Sequence, residues 1–199
     1  MTKLNTTIEH IETIKNNIQS LIDKKEDFTA FIIIALGIEF LGCFYDNKPF
    51  DEKGQSENRF KKGVGLFNKS WYKQNQKWMY KHFRGPLVHQ FWTGSEMVLT
   101  SYCKNNAPKE AHLKQDENNK RIFIVEEIFE DFKIAANNLK NQKSLNKNKQ
   151  EMDFSKVGIT SFDNKNFVSS GSTMTNETKI EIVSCDQIKE KKKEIRKRL

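Results

Sequence analysis

Cysteine is scarce in this chain, with three among 199 residues. Cys43, Cys103 and Cys185 are odd in number and far apart in sequence. That argues against both a disulfide framework and a zinc site built on thiolates, and fits a reducing, cytoplasmic setting. The four histidines, His10, His82, His89 and His112, fall at no metal-ligand spacing,. No glycine-rich phosphate loop, no serine or cysteine nucleophile motif and no internal repeat is present. The expectation is therefore no metal and no small-molecule cofactor. The first residues carry no apolar signal region. The one long apolar stretch, residues 28–45, is near the minimum spanning length and contains Glu39,. It reads as a buried central helix, so no membrane partner is expected. The apolar fraction, 36%, lies below that of a fully packed chain,, which predicts that part of the chain is loosely ordered.

What is abundant is positive charge and phenylalanine. The formal net charge is +8, and there are 15 Phe and 3 Trp. Such a balance favours an anionic partner. Ile8, Ile11, Ile14, Ile18, Leu21 and Ile22 recur at helical spacing and predict a first helix over residues 4–24, with Thr6 and Glu9 matching a capping box. The acidic pair Glu26 and Asp27 opens the apolar second helix. A short connection makes these two an antiparallel hairpin. After a polar loop at residues 46–56, Ser56 is placed to cap a third helix carrying Phe60, Val64 and Phe67. A fourth helical piece is predicted over residues 71–82, and a short helix begins at Pro86 after a bend.

The pattern then changes. Met97-Val98-Leu99-Thr100 and Ile122-Phe123-Ile124-Val125 read as short strands, separated by about twenty polar residues, too many for a tight hairpin. Ile128, Phe129, Phe132, Ile134, Ala135 and Leu139 predict a further amphipathic helix. Residues 141–151 read as a linker. Residues 152–199 read as a weakly ordered tail with one strand-like run, residues 180–183, and a basic end. The expected architecture is mainly α: an antiparallel helical bundle with a short β extension over residues 1–140, then linker and flexible tail over residues 141–199.

Chemistry concentrates around Arg84 and His89. If a helix starts at Pro86, Arg84 stands at its entrance and His89 one turn inside. Helix starts attract anions, a guanidinium can grip two phosphate oxygens, and an imidazole can move a proton near neutral pH. Glu39, inside the most apolar helix, needs a partner or must take up a proton. Arg84, His89 or a lysine of the third helix are the candidates, and a structural ion pair is the preferred role. Residues 57–92 carry Arg59, Lys61, Lys62, Lys69, Lys73, Lys77, Lys81 and Arg84 against Glu57 alone. Aromatic rings are interleaved with them, a mixture suited to single-stranded nucleic acid. Lys61, Lys62, Lys73, Lys77 and Lys81 are the expected phosphate contacts.

Arg84-Gly85-Pro86-Leu87-Val88-His89, late in a helical array, resembles the Arg-x(4–6)-His motif of the HEPN superfamily. The wider pattern, Ile38-Glu39-Phe40-Leu41-Gly42 in a central apolar helix and Gln55-Ser56-Glu57-Asn58-Arg59-Phe60 after a loop, is similar to HEPN-like proteins of bacteria. The resemblance covers residues 4–92. It implies an all-α bundle, usually a homodimer with two such motifs facing each other, and in many members a metal-independent endoribonuclease. Only Arg84 and His89 carry over as site residues. Active members commonly have a polar residue directly after the arginine, where this chain has Gly85. The expected function is thus RNA-directed, with metal-independent RNA cleavage as its catalytic form. The alternative is a non-catalytic helical module that binds nucleic acid or a partner protein.

Overall fold

The computed structural model describes residues 3–141. Helix α1 (Lys3–Asp23) turns its buried Ile11, Ile18 and Ile22 inward. Lys25, in the left-handed region at φ 60°, reverses the chain into α2 (Asp27–Cys43). His10 meets Phe40 edge-on at 5.3 Å, and Ile14 lies against Gly37, so the two helices run antiparallel, as the short connection predicts. Helix α2 is buried on most of its circumference, by Ala30, Phe31, Ile34, Ala35, Ile38 and Leu41 among others. An all-round apolar helix can be accommodated only with neighbours on every side. Among the described residues no helix is long and apolar enough to cross a membrane.

The closest neighbour of α2 is α3 (Ser56–Val64). A methyl group on Gly42 would lie 1.7 Å from the Arg59 carbonyl oxygen, and one on Gly63 would lie 1.9 Å from that of Ile38. The two backbones touch through these glycines, which draws Glu39 toward the start of α3. Arg59, one of the cations of the basic run, is buried. Its Nε donates to Asp46 at 2.6 Å, its Nη1 to the Phe50 carbonyl at 2.6 Å, and its Nη2 to the Pro49 carbonyl. It ties the polar loop down rather than facing a ligand. Ser56 does not cap α3. Gln55 occupies the cap position without a side-chain bond, and the Ser56 hydroxyl turns to the carboxylate of Glu39.

The predicted fourth helix is interrupted. It consists of α4 (Ser70–Gln74), α5 (Gln76–Met79) and a π-helical turn (Tyr80–Arg84). Asn75 leaves helical geometry, and its side-chain amide joins its own backbone N–H on the Trp71 carbonyl, the local side-chain bonding expected of asparagine. Nor does a helix start at Pro86. The π turn runs straight into α6 (Gly85–Gln90), and Arg84 itself is helical, at φ −66° and ψ −47°. Gly85 N–H reaches back to the Tyr80 carbonyl, the i→i−5 bond of the wider turn. Widening there relieves the clash of the Pro86 ring with the preceding turn. The anion-attracting free N–H groups of a helix start are therefore missing at Arg84.

Strand β1 (Met97–Thr100) is followed by α7 (Tyr102–Asn105), a 3-10 turn (Lys109–Ala111) and β2 (Arg121–Ile124). The strands pair in parallel, Met97 with Arg121 through Thr100 with Ile124. The long connection is a crossover, which parallel strands require. Val125 is not in the strand. It opens α8 (Val125–Asn141), with Glu126 and Glu127 in the first turn where the helix dipole favours them,. Helix α8 closes the core through Val125, Ile128, Phe132, Ala135 and Leu139 against α1 and α2. The described residues are thus mainly helical with a short parallel β extension. The predicted strand-like run at 180–183 and the basic end lie outside the described residues, as does the linker except for Asn141.

Candidate functional site

The π turn, α6 and the α2–α3 contact bring Glu39, Ser56, Arg84 and His89 together. Glu39 Oε2 accepts a hydrogen bond from Arg84 Nε at 2.9 Å and one from the Ser56 hydroxyl at 2.9 Å, and it lies 2.9 Å from Arg84 Nη2 in an ion pair. Arg84 Nη1 lies 2.5 Å from His89 Nε2. The Tyr80 ring covers the guanidinium, with Cζ 5.7 Å from its centroid. Arg84 is 7% exposed, whereas His89 is exposed.

This geometry fixes chemistry. A guanidinium only donates, so His89 Nε2 must accept from Arg84, and the proton of the neutral ring sits on Nδ1. Doubly protonated, the ring would present an N–H to an N–H, so the contact holds for the neutral form. Two of the five N–H groups of Arg84 are hydrogen-bonded to protein, one to Glu39 and one to His89, and Nη2 completes the ion pair with Glu39,. Glu39 neutralises a nearly buried cation, without which Arg84 would carry an uncompensated charge. Of its three candidate partners, Arg84 is in direct contact. Ser56 was not among them, because its position suggested a helix cap.

The predicted phosphate contacts separate into two groups. Lys62 donates to the Tyr45 carbonyl at 2.7 Å, and Lys61 pairs with Glu57 at 3.3 Å. Lys73, Lys77 and Lys81 are exposed. Lys69, also in the basic run, pairs with Asp131 at 2.7 Å. Asp46, Glu39 and Asp131 lie outside residues 57–92, so a count along the segment misses the neutralisation that folding brings. The rings sort similarly. Phe60, Phe67, Tyr72 and Phe83 are core, and Trp71, Trp78 and Tyr80 pack against it. Phe91 and Trp92 alone among these nine rings are exposed.

No protein-family model, no curated protein and no solved structure matches the chain. The functional reading therefore rests on geometry and on the motif resemblance.

A second polar cluster went unnoticed in the sequence. His112 Nδ1 accepts the Ile124 N–H at 3.1 Å, and its Nε2 lies 2.8 Å from the Tyr72 hydroxyl. With Nδ1 accepting, Nε2 carries the proton and donates to the Tyr72 hydroxyl, and the Asp131 carboxylate beside them raises the Tyr72 phenol further above the ordinary value to which burial already lifts it. Lys69 completes the chain on Asp131 Oδ2. Burial pushes the His112 imidazole below its ordinary value, outweighing the opposing pull of Asp131. Burial also raises the Asp131 carboxyl, but the groups facing it, His112 and Lys69 foremost, hold it below the usual carboxylate range. Every member is satisfied, so the cluster welds α4, the crossover and α8 rather than offering a reactive group. Its members lie 40 and more residues apart in part, Tyr72 from His112 for instance, and no local spacing could have announced it.

Proposed function

We propose that this chain acts on RNA as a HEPN-like endoribonuclease that needs no metal. The observation that carries the reading is the 2.5 Å contact between Arg84 Nη1 and His89 Nε2 at an exposed imidazole. A substrate phosphate competes with that imidazole for the same N–H. Once the phosphate accepts from Arg84, the Nε2 lone pair is released as a general base for the neighbouring 2′-hydroxyl. The alkoxide oxygen attacks phosphorus, the bond from phosphorus to the 5′-oxygen breaks, and a 2′,3′-cyclic phosphate and a 5′-hydroxyl result. Arg84 offsets the charge that builds on the phosphoryl oxygens. One imidazole takes up one proton, and the departing 5′-oxygen needs another donor. The corresponding imidazole of a second copy, in its protonated form and released from its own Arg84, donates that proton in the homodimer that the motif resemblance implies. The cytoplasm is the inferred setting, from the sparing use of cysteine.

One observation favours a second reading, a non-catalytic module that binds RNA. Glu39 holds Arg84 by one hydrogen bond and an ion pair, and Arg84 is nearly buried, which limits what a phosphate can reach. RNA cleavage in EDTA separates the two. On the first reading single-stranded RNA is cut to 2′,3′-cyclic ends, DNA of the same sequence survives, and His89→Ala lowers the rate roughly a hundredfold or more. Arg84→Ala weakens both binding and rate. Binding without cleavage establishes the second reading. Cleavage that survives both substitutions removes Arg84 and His89 from the reaction.

A further inference from the structure

Immediately after His89 the chain does something costly. Phe91 takes the left-handed conformation at φ 50°, a position that helix ends usually give to glycine,. A bulky residue held there is a recognised pointer to function. The turn is fixed by its backbone. The Phe91 N–H and, at 3.3 Å, the Trp92 N–H both close on the Pro86 carbonyl. The loop then folds back onto the π turn, where a methyl group on Gly94 would lie 2.8 Å from the His82 carbonyl oxygen. The result is two rings turned into solvent, Phe91 70% and Trp92 69% exposed. Neither makes a ring contact with another aromatic residue among those described.

We infer that Phe91 and Trp92 form a stacking platform for unpaired bases of an RNA strand whose phosphate lies at Arg84 and His89. This rests on the single-stranded RNA reading above and adds the side chains that hold the bases, whose faces a duplex would hide. Three observations select a base as the occupant. The exposed rings begin two residues after the exposed His89, on the turn that closes its helix. Lys81 is exposed next to His82, against which the loop folds. Cations beside rings are what a strand of alternating phosphates and bases requires. Size also decides. Two rings at this exposure offer roughly 300 Å² together, well below the roughly 800 Å² per partner of a stable protein interface. Their immediate neighbours His89 and Gln90 are exposed and polar, so the patch does not continue as an apolar face.

The test uses the full chain and oligouridylate RNA, with Trp92 fluorescence and equilibrium binding as readouts. Probes of equal length are an abasic ribose-phosphate strand and an RNA duplex. The expected result is quenching by the single strand that Trp92→Phe largely keeps as affinity but loses as signal. Phe91→Ala and Trp92→Ala should each weaken single-strand binding roughly tenfold. Binding of the abasic strand should be weak and insensitive to either substitution. Oligomeric state and melting temperature should not change, since both side chains are exposed. Wild-type binding that neither alanine variant weakens overturns the platform and leaves the RNA reading standing. Failure of the wild type to bind any RNA overturns both. Dissociation of an oligomer by Trp92→Ala overturns the platform in favour of a protein interface.

Discussion

His112 illustrates how much a single side chain depends on its fold. Its Nδ1 lone pair is occupied by the Ile124 N–H, so protonation there costs that bond as well as the burial of a charge. The folded-state value lies below the ordinary 6.5 that the unfolded chain regains. Below about pH 6.5 the unfolded chain therefore binds more protons than the folded one, and stability falls as pH falls toward the folded value. Asp131 acts in the same direction but only at lower pH, below its ordinary 3.8. Melting temperature should thus decline between about pH 7 and about pH 5, and His112→Gln should flatten that decline. The variant should also be less stable near neutrality by about 1–3 kcal/mol, because Tyr72 and Ile124 lose a partner. A wild-type profile as flat as the variant's would refute the role assigned to this imidazole. At this scale the sequence was legible where one residue type forces a question. Glu39 in an apolar helix had to find a partner, and Arg84 with His89 was visible as a spacing. His112 forced no question, because its partners arrive from Tyr72 on α4, from Ile124 on β2 and from Asp131 on α8.

Helices were legible from apolar period, and strands from their β-branched runs, because both signals are local. Direction and continuity were not. The parallel pairing of β1 with β2 depends on where the crossover carries the chain, and the π turn depends on Pro86 meeting a helix that has not ended. That second miss matters for the site, since it replaces a helix start by a continuous turn and makes Arg84 a buried donor. The α2–α3 contact is the element on which the site rests. Gly63→Ala would drive a methyl group into the Ile38 carbonyl, a backbone atom that cannot step aside. The helices must separate, and a loss of about 3 kcal/mol or more is expected, along with weakened Glu39–Arg84 contact. Gly54→Ala is the control. It has a positive φ of 73° but nothing within 4 Å, so it should cost about 1 kcal/mol from backbone strain alone. Chemical denaturation of the two variants decides. Equal costs would mean that helix approach, and with it the positioning of Glu39, tolerates a side chain.

For the whole molecule, net charge overstates the surface that an anion meets. Of the eight cations in residues 57–92, Arg59, Lys61, Lys62, Lys69 and Arg84 have partners within the fold. Lys73, Lys77 and Lys81 remain exposed. Each phosphate neutralised on a single strand contributes about −0.7 to the slope of log affinity against log salt. Eight contacts from this segment would give about −6, whereas the three exposed lysines together with Arg84 at its phosphate give about −3. Residues beyond 141 also carry charge, so the segment's share is best read by difference in the intact chain. Lys73→Gln, Lys77→Gln and Lys81→Gln should each reduce the slope by about 0.7, and the triple variant by about 2. Lys62→Gln should leave the slope unchanged and lower stability instead, by about 1 kcal/mol, through loss of its bond to the Tyr45 carbonyl,. Measuring RNA affinity across a salt series for these variants separates cations that face a ligand from cations that hold the protein together. If Lys62→Gln shifted the slope as much as Lys81→Gln, the internal bond would not survive RNA binding, and the binding surface would extend over the start of α3.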